Sequence, residues 1–98
     1  MATNFDYNVQ HVNIYVNNSR DIYSLTEWLT SCVCKRIKKG LSVEADHLAK
    51  CSTMQKIVRM ATRLASEDGI KVTSEERKEV ATQHAAYIME SAKYLASC

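Results

Sequence analysis

The stretch CVCKRIKKG, residues 32–40, sets two thiols two positions apart beside four cations. Such a pair could grip a metal ion, and such a cluster could hold a phosphate. The first chemistry depends on the backbone beneath it. On a helix, residues two apart diverge by roughly 200° around the axis, so Cys32 and Cys34 cannot share one ion. Cys51 and Cys98 follow no zinc-ligand spacing. The expectation is therefore no metal and no cofactor, with Cys32 a small core residue and Cys34 a surface thiol.

The cations remain as candidates. Lys35, Arg36, Lys38 and Lys39 form one cluster; Lys56, Arg59 and Arg63, at i, i+3 and i+7, form a ridge along one side of a second helix. Arg36 lies within an apolar arc and is expected to snorkel to the surface with its stem packed. Residues 35–63 hold eight cationic side chains against Glu44 and Asp46, a net +6, while residues 1–34 and 64–98 each carry −2. A basic middle between acidic flanks is the electrostatic footprint of an anionic partner, or simply a solvated face. A short helix followed by a longer basic one invites comparison with a helix-turn-helix. That motif needs a turn of about three or four residues, and only Cys51 and Ser52 separate the segments here, so no residue roles are carried over.

Other chemistry is sparse. His84 falls in an apolar stripe with no carboxylate on the same face, and His11 and His47 stand alone in the sequence. There is no glycine-rich phosphate loop, no HExxH and no nucleophile elbow. No enzyme is expected.

The elements that must position these groups are mostly helical. The absence of proline and the presence of only two glycines favour long uninterrupted helices. Ser19 is placed as an N-cap for a helix running to about Lys39, with Ile22, Leu25, Trp28, Leu29, Cys32, Val33 and Ile37 on its apolar face and Gly40 ending it. A short helix over about 43–50 is followed by one over about 53–67, started by a capping box from Ser52 to Gln55 and stopped at Gly69. A second box, Thr73 to Glu76, starts the last helix, whose buried face is read as Val80, Ala81, His84, Tyr87, Ile88, Ser91, Tyr94 and Leu95.

Residues 5–16, FDYNVQHVNIYV, read instead as a strand or extended segment. Phe5, Tyr7 and Val9 alternate on one parity and Val12, Ile14 and Val16 on the other, with β-branched and aromatic residues throughout. A lone strand needs a partner, so Val12, Ile14, Tyr15 and Val16 are candidate oligomer-interface residues, pairing two copies into a homodimer.

The expected fold is thus mainly α: one domain over residues 1–98, with an extended or β segment over 1–18 and a bundle of three main helices plus one short helix over 19–98. The composition, 46% apolar and 24% charged, suits a globular domain. With no secretory signal and no apolar run of the roughly 20 residues a membrane span needs, the chain reads as cytoplasmic with reduced thiols and without a membrane partner. The leading functional expectation is a non-enzymatic protein-interaction module, a small regulator or inhibitor of viral or mobile-element type, acting on a protein partner as a homo-oligomer. The alternative is a nucleic-acid-binding protein that uses the ridge of Lys56, Arg59 and Arg63, with Lys35, Lys38 and Lys39 on phosphates.

Overall fold

The computed structural model describes residues 4–98, which form five helices: α1 (Asn4–Asn18), α2 (Arg20–Lys38), α3 (Ala45–Lys50), α4 (Ser52–Glu67) and α5 (Ser74–Ala96). The bundle after residue 19 follows the sequence expectation. The N-terminal segment does not: among the described residues there is no strand, and residues 4–18 are helical.

The reason lies in the spacing. Phe5, Val9, Val12 and Val16 recur at i, i+4, i+7 and i+11, a helical stripe, and Val9, Val12 and Val16 are buried. What reads as a change of strand parity between Val9 and Val12 is a step of three on that stripe. Valine, tyrosine and asparagine are indifferent helix formers, each costing several tenths of a kcal/mol relative to alanine. Burial against the rest of the bundle outweighs this. The strand-paired dimer loses its premise: Val12 and Val16 are core residues, Tyr15 is half-buried, and only Ile14 is exposed.

Helix boundaries follow local rules closely. Ser19 breaks α1 from α2 with an extended backbone, although its side chain makes no capping bond. Gly40 adopts φ +78°, Leu41 N–H donates to the Arg36 carbonyl and Gly40 N–H to that of Ile37. The same pair of bonds recurs at Gly69 (φ +84°), from Ile70 to Ala65 and from Gly69 to Ser66. Both ends are Schellman motifs, which require a left-handed residue that glycine adopts without strain. The Thr73–Glu76 capping box forms in full: Thr73 N–H donates to Glu76 Oε1 (2.7 Å) and Glu76 N–H to Thr73 Oγ1 (3.1 Å). The predicted box at Ser52 does not form. The N-cap is Cys51, whose Sγ accepts from Met54 N–H, while the Gln55 amide donates to the Ala49 carbonyl.

α5 is the central element and packs against all four other helices. Its buried stripe includes Ala81, Ala85 and Ala92, small side chains that let neighbouring helices approach closely. Ile22, Met54, Ile57, Ile88, Val12 and Val80 are the largest wholly buried side chains, and they draw on α1, α2, α4 and α5. α1 is tied alongside α5 by Asn8 to Glu76 (2.9 Å) and Asn13 to Gln83 (2.8 Å), so the two helices run in the same direction. No helix is long and apolar enough to cross a membrane among the described residues.

Candidate functional site: an aromatic groove and an arginine cleft

Four large apolar side chains placed in the core by helical periodicity are not there. Trp28, Tyr87, Tyr94 and Leu95 are all exposed. The buried arcs of α2 and α5 are narrower than their apolar arcs, because each helix is covered only where a neighbour lies. Cys32 and Cys34 are both half-buried thiols, and it is Cys34, not Cys32, that packs against the core.

Between α2 and α5 this leaves a groove of about 550 Å³. Tyr23, Glu27, Cys34, Lys35 and Lys38 line its α2 wall, and Tyr87, Ser91 and Leu95 its α5 wall. Tyr94, seven residues after Tyr87, falls on the same side of α5. The Glu27 carboxylate is placed to accept from the Tyr23 phenol, and that interaction raises the phenol's pKa above its ordinary value. Thr26 and His84 meet beneath, sharing a hydrogen bond of 2.9 Å between Oγ1 and Nε2, with the Tyr87 ring edge-on to the imidazole. Burial lowers the His84 pKa, so the ring is neutral near pH 7. Among the described residues no carboxylate bonds to His84. It is a core histidine satisfied by a hydroxyl.

A second cleft, about 500 Å³, opens between α4 and α5. Arg59 and Arg63 project from α4, and Arg77 reaches in from the first turns of α5 with one guanidinium N–H donating to the Val72 carbonyl (2.9 Å). Gln55, Thr62 and Ser66 complete the polar lining, and no carboxylate is among the lining residues. Neither the Arg59 nor the Arg63 side chain has a hydrogen-bond or ion-pair partner among the described residues. Thr62 Oγ1, in the same wall, is screened from solvent and likewise unpartnered among those residues. Lone basic side chains on a surface are ordinary. Here three arginines from two helices border one cleft that no carboxylate lines.

The predicted cationic residues therefore separate. Lys35 and Lys38 belong to the α2/α5 groove, and Arg59 and Arg63 to the α4/α5 cleft. Lys56 is exposed on α4, on the line of Arg59 and Arg63 but outside the cleft lining, and Arg36 and Lys39 are exposed near the end of α2. Arg77 was not singled out from sequence, because nothing local joins it to Arg59 and Arg63. The aromatic groove was equally hidden, since periodicity placed its α5 wall, Tyr87, Ser91 and Leu95, inside.

A third cluster joins α1 to the end of α4. His11 Nε2 lies 2.9 Å from Asp68 Oδ2, the Tyr15 hydroxyl donates to the same oxygen, and Tyr7 and Tyr15 flank the imidazole with ring centroids 6.0 and 5.8 Å away. Hydrogen bonds from Tyr15, then His11, lower the Asp68 pKa, and the same contact raises that of Tyr15. These groups clasp two helices, and neither cleft includes them.

Among the described residues no three of histidine, cysteine, aspartate or glutamate come together as a metal-binding group. Comparison with known proteins finds no matching family model, no matching curated protein and no matching solved structure.

Proposed function

We propose that the protein is a non-enzymatic interaction module that seats a protein partner in the α2/α5 groove. One observation carries this reading. Tyr23, Tyr87 and Leu95, at 56%, 52% and 49% exposure, line the groove although the core is closed without them. Apolar area left in water forgoes about 25 cal/mol per Å² of stabilisation, which a bound partner recovers. Tyrosine is also well suited to interface anchoring, since it offers large contact area and a polar tip.

The lining describes the partner's chemistry. An amphipathic segment would lay its apolar face along Tyr23, Tyr87 and Leu95. A carboxylate on that segment would meet Lys35 and Lys38, whose ammonium groups form no ion pair among the described residues. Occupying such a surface on another protein requires no catalytic group, in keeping with a regulator or inhibitor.

The test is affinity capture from the source cells after nuclease treatment, comparing wild type, Tyr87→Ala/Leu95→Ala and Arg59→Glu/Arg63→Glu. A protein recovered by wild type and by the arginine variant, and lost with the groove variant, is the expected result. Recovery that is indifferent to the groove substitutions overturns the reading.

A further inference from the structure

We infer that the α4/α5 cleft is a phosphate-binding site whose ligand is a nucleic-acid sugar–phosphate backbone, held without reading of base sequence. This is independent of the α2/α5 groove.

The choice of side chain points to phosphate. A guanidinium presents a planar fork of N–H donors that matches two phosphate oxygens at once, and it stays charged at any physiological pH. Arg59, Arg63 and Arg77 supply three such forks. The bond from Arg77 to the Val72 carbonyl uses one of its five donors and fixes its direction, leaving the others for a ligand. With no carboxylate in the lining, the positive charge is uncompensated within the cleft. Gln55 can add a neutral hydrogen bond to a further ligand oxygen through the amide N–H that it does not give to the Ala49 carbonyl. The Ser66 hydroxyl donates to the Arg63 carbonyl (2.8 Å), which uses its one donor and ties the two residues together.

The layout favours a backbone over a single free phosphate. Lys56, Arg59 and Arg63 lie along one side of α4, and seven residues at about 1.5 Å each span roughly 10 Å of helix. Consecutive cations are thus separated by about 4.5 and 6 Å along the axis. One phosphate would engage part of this row, whereas a strand with repeated phosphates follows it. No aromatic side chain lines the cleft for stacking on bases. The contact is therefore with the backbone, which positions a protein without specifying sequence.

Fluorescence anisotropy on the whole chain tests this, using labelled single-stranded and duplex oligonucleotides of mixed sequence, with sodium tripolyphosphate as competitor. Binding should weaken steeply with salt, with a log–log slope of about −3 for three or four duplex phosphates contacted. Arg77→Gln should lower that slope by about one, and Arg59→Glu/Arg63→Glu should abolish binding with helicity intact. Lys35→Glu/Lys38→Glu, in the other groove, should leave the slope unchanged. Scrambling the oligonucleotide sequence should change nothing. Absence of binding by all three anions at low salt overturns the site. Tighter binding of tripolyphosphate than of either oligonucleotide overturns the backbone as its ligand, and an unchanged slope in Arg77→Gln overturns the convergence on which the inference stands.

Discussion

Replacing Glu76 by alanine should destabilise the protein by about 2–3 kcal/mol, because one carboxylate serves two elements. Glu76 is 3% exposed and closes the capping box at the start of α5 while accepting from the Asn8 amide of α1. Truncation removes a charge-assisted bond to Asn8, worth about 1.5 kcal/mol. It also frees the Thr73 N–H, which water can reach, for about 0.5–1 kcal/mol. The remainder is lost packing of the side-chain stem. For a domain of this size such a loss lowers Tm by roughly 10–20 °C. Glu76→Gln keeps the shape and one acceptor, and should cost about 1 kcal/mol.

The two variants also separate charge from geometry. Burial by itself would raise the Glu76 carboxyl, but hydrogen bonds from Thr73 N–H, Asn8 and the Thr73 hydroxyl outweigh it and hold the pKa below its ordinary 4.5. A depressed folded-state pKa stabilises the fold above the unfolded-state value, and that stabilisation is lost as pH falls through the folded one. The gap between wild type and Glu76→Gln should therefore be full at neutral pH and shrink below about 4.5. Thermal unfolding followed by circular dichroism across that range measures both. A loss under about 1 kcal/mol for Glu76→Ala, or a gap to Glu76→Gln that ignores pH, would refute the reasoning.

Three further outcomes are expected. Val12→Asp buries an unpaired charge and should cost about 3 kcal/mol or more, whereas Ile14→Asp should stay within about 0.5 kcal/mol; equal effects on Tm would contradict the helical register of α1. His84 has a pKa lowered by burial, so the unfolded chain binds its proton more readily; stability should decline as pH falls from about 7 through the ordinary 6.5 and level off below the lowered value, and His84→Gln should remove that slope in urea titrations. Gly69→Ala meets no steric obstacle but forces a left-handed alanine at φ +84°, which should cost about 1–2 kcal/mol by the same titrations.

What could be read from the sequence divides along a physical line. Helix ends are local events, settled by a few neighbouring residues. Gly40, Gly69 and the Thr73–Glu76 box were therefore legible, and the misplaced cap at Cys51 is off by one position. α1 was not legible, because its stripe of Phe5, Val9, Val12 and Val16 coincides with two short alternating runs, and its residues have weak intrinsic preference either way. Only tertiary burial decides between them. Periodicity also reports which side chains share an arc, but not where the covering helix stops. That is how Trp28, Tyr87, Tyr94 and Leu95 were placed inside. For the cleft, Arg59 and Arg63 share a helix and were found together, while Arg77 joins them only through the packing of α4 on α5.

The position of α5 also imposes an order in time. It is made after every helix that packs on it. While α5 is still being synthesised, α1 can already settle on α4, but α2 and α3 find their main surface only on α5. Until then α2 and α3 lack the helix against which each packs most. Pairing α2 with α5 also joins distant parts of the chain, a topology that slows folding relative to bundles built from neighbouring helices. The interval between the synthesis of α2 and the docking of α5 is when a chaperone has most to bind and a protease most to cut.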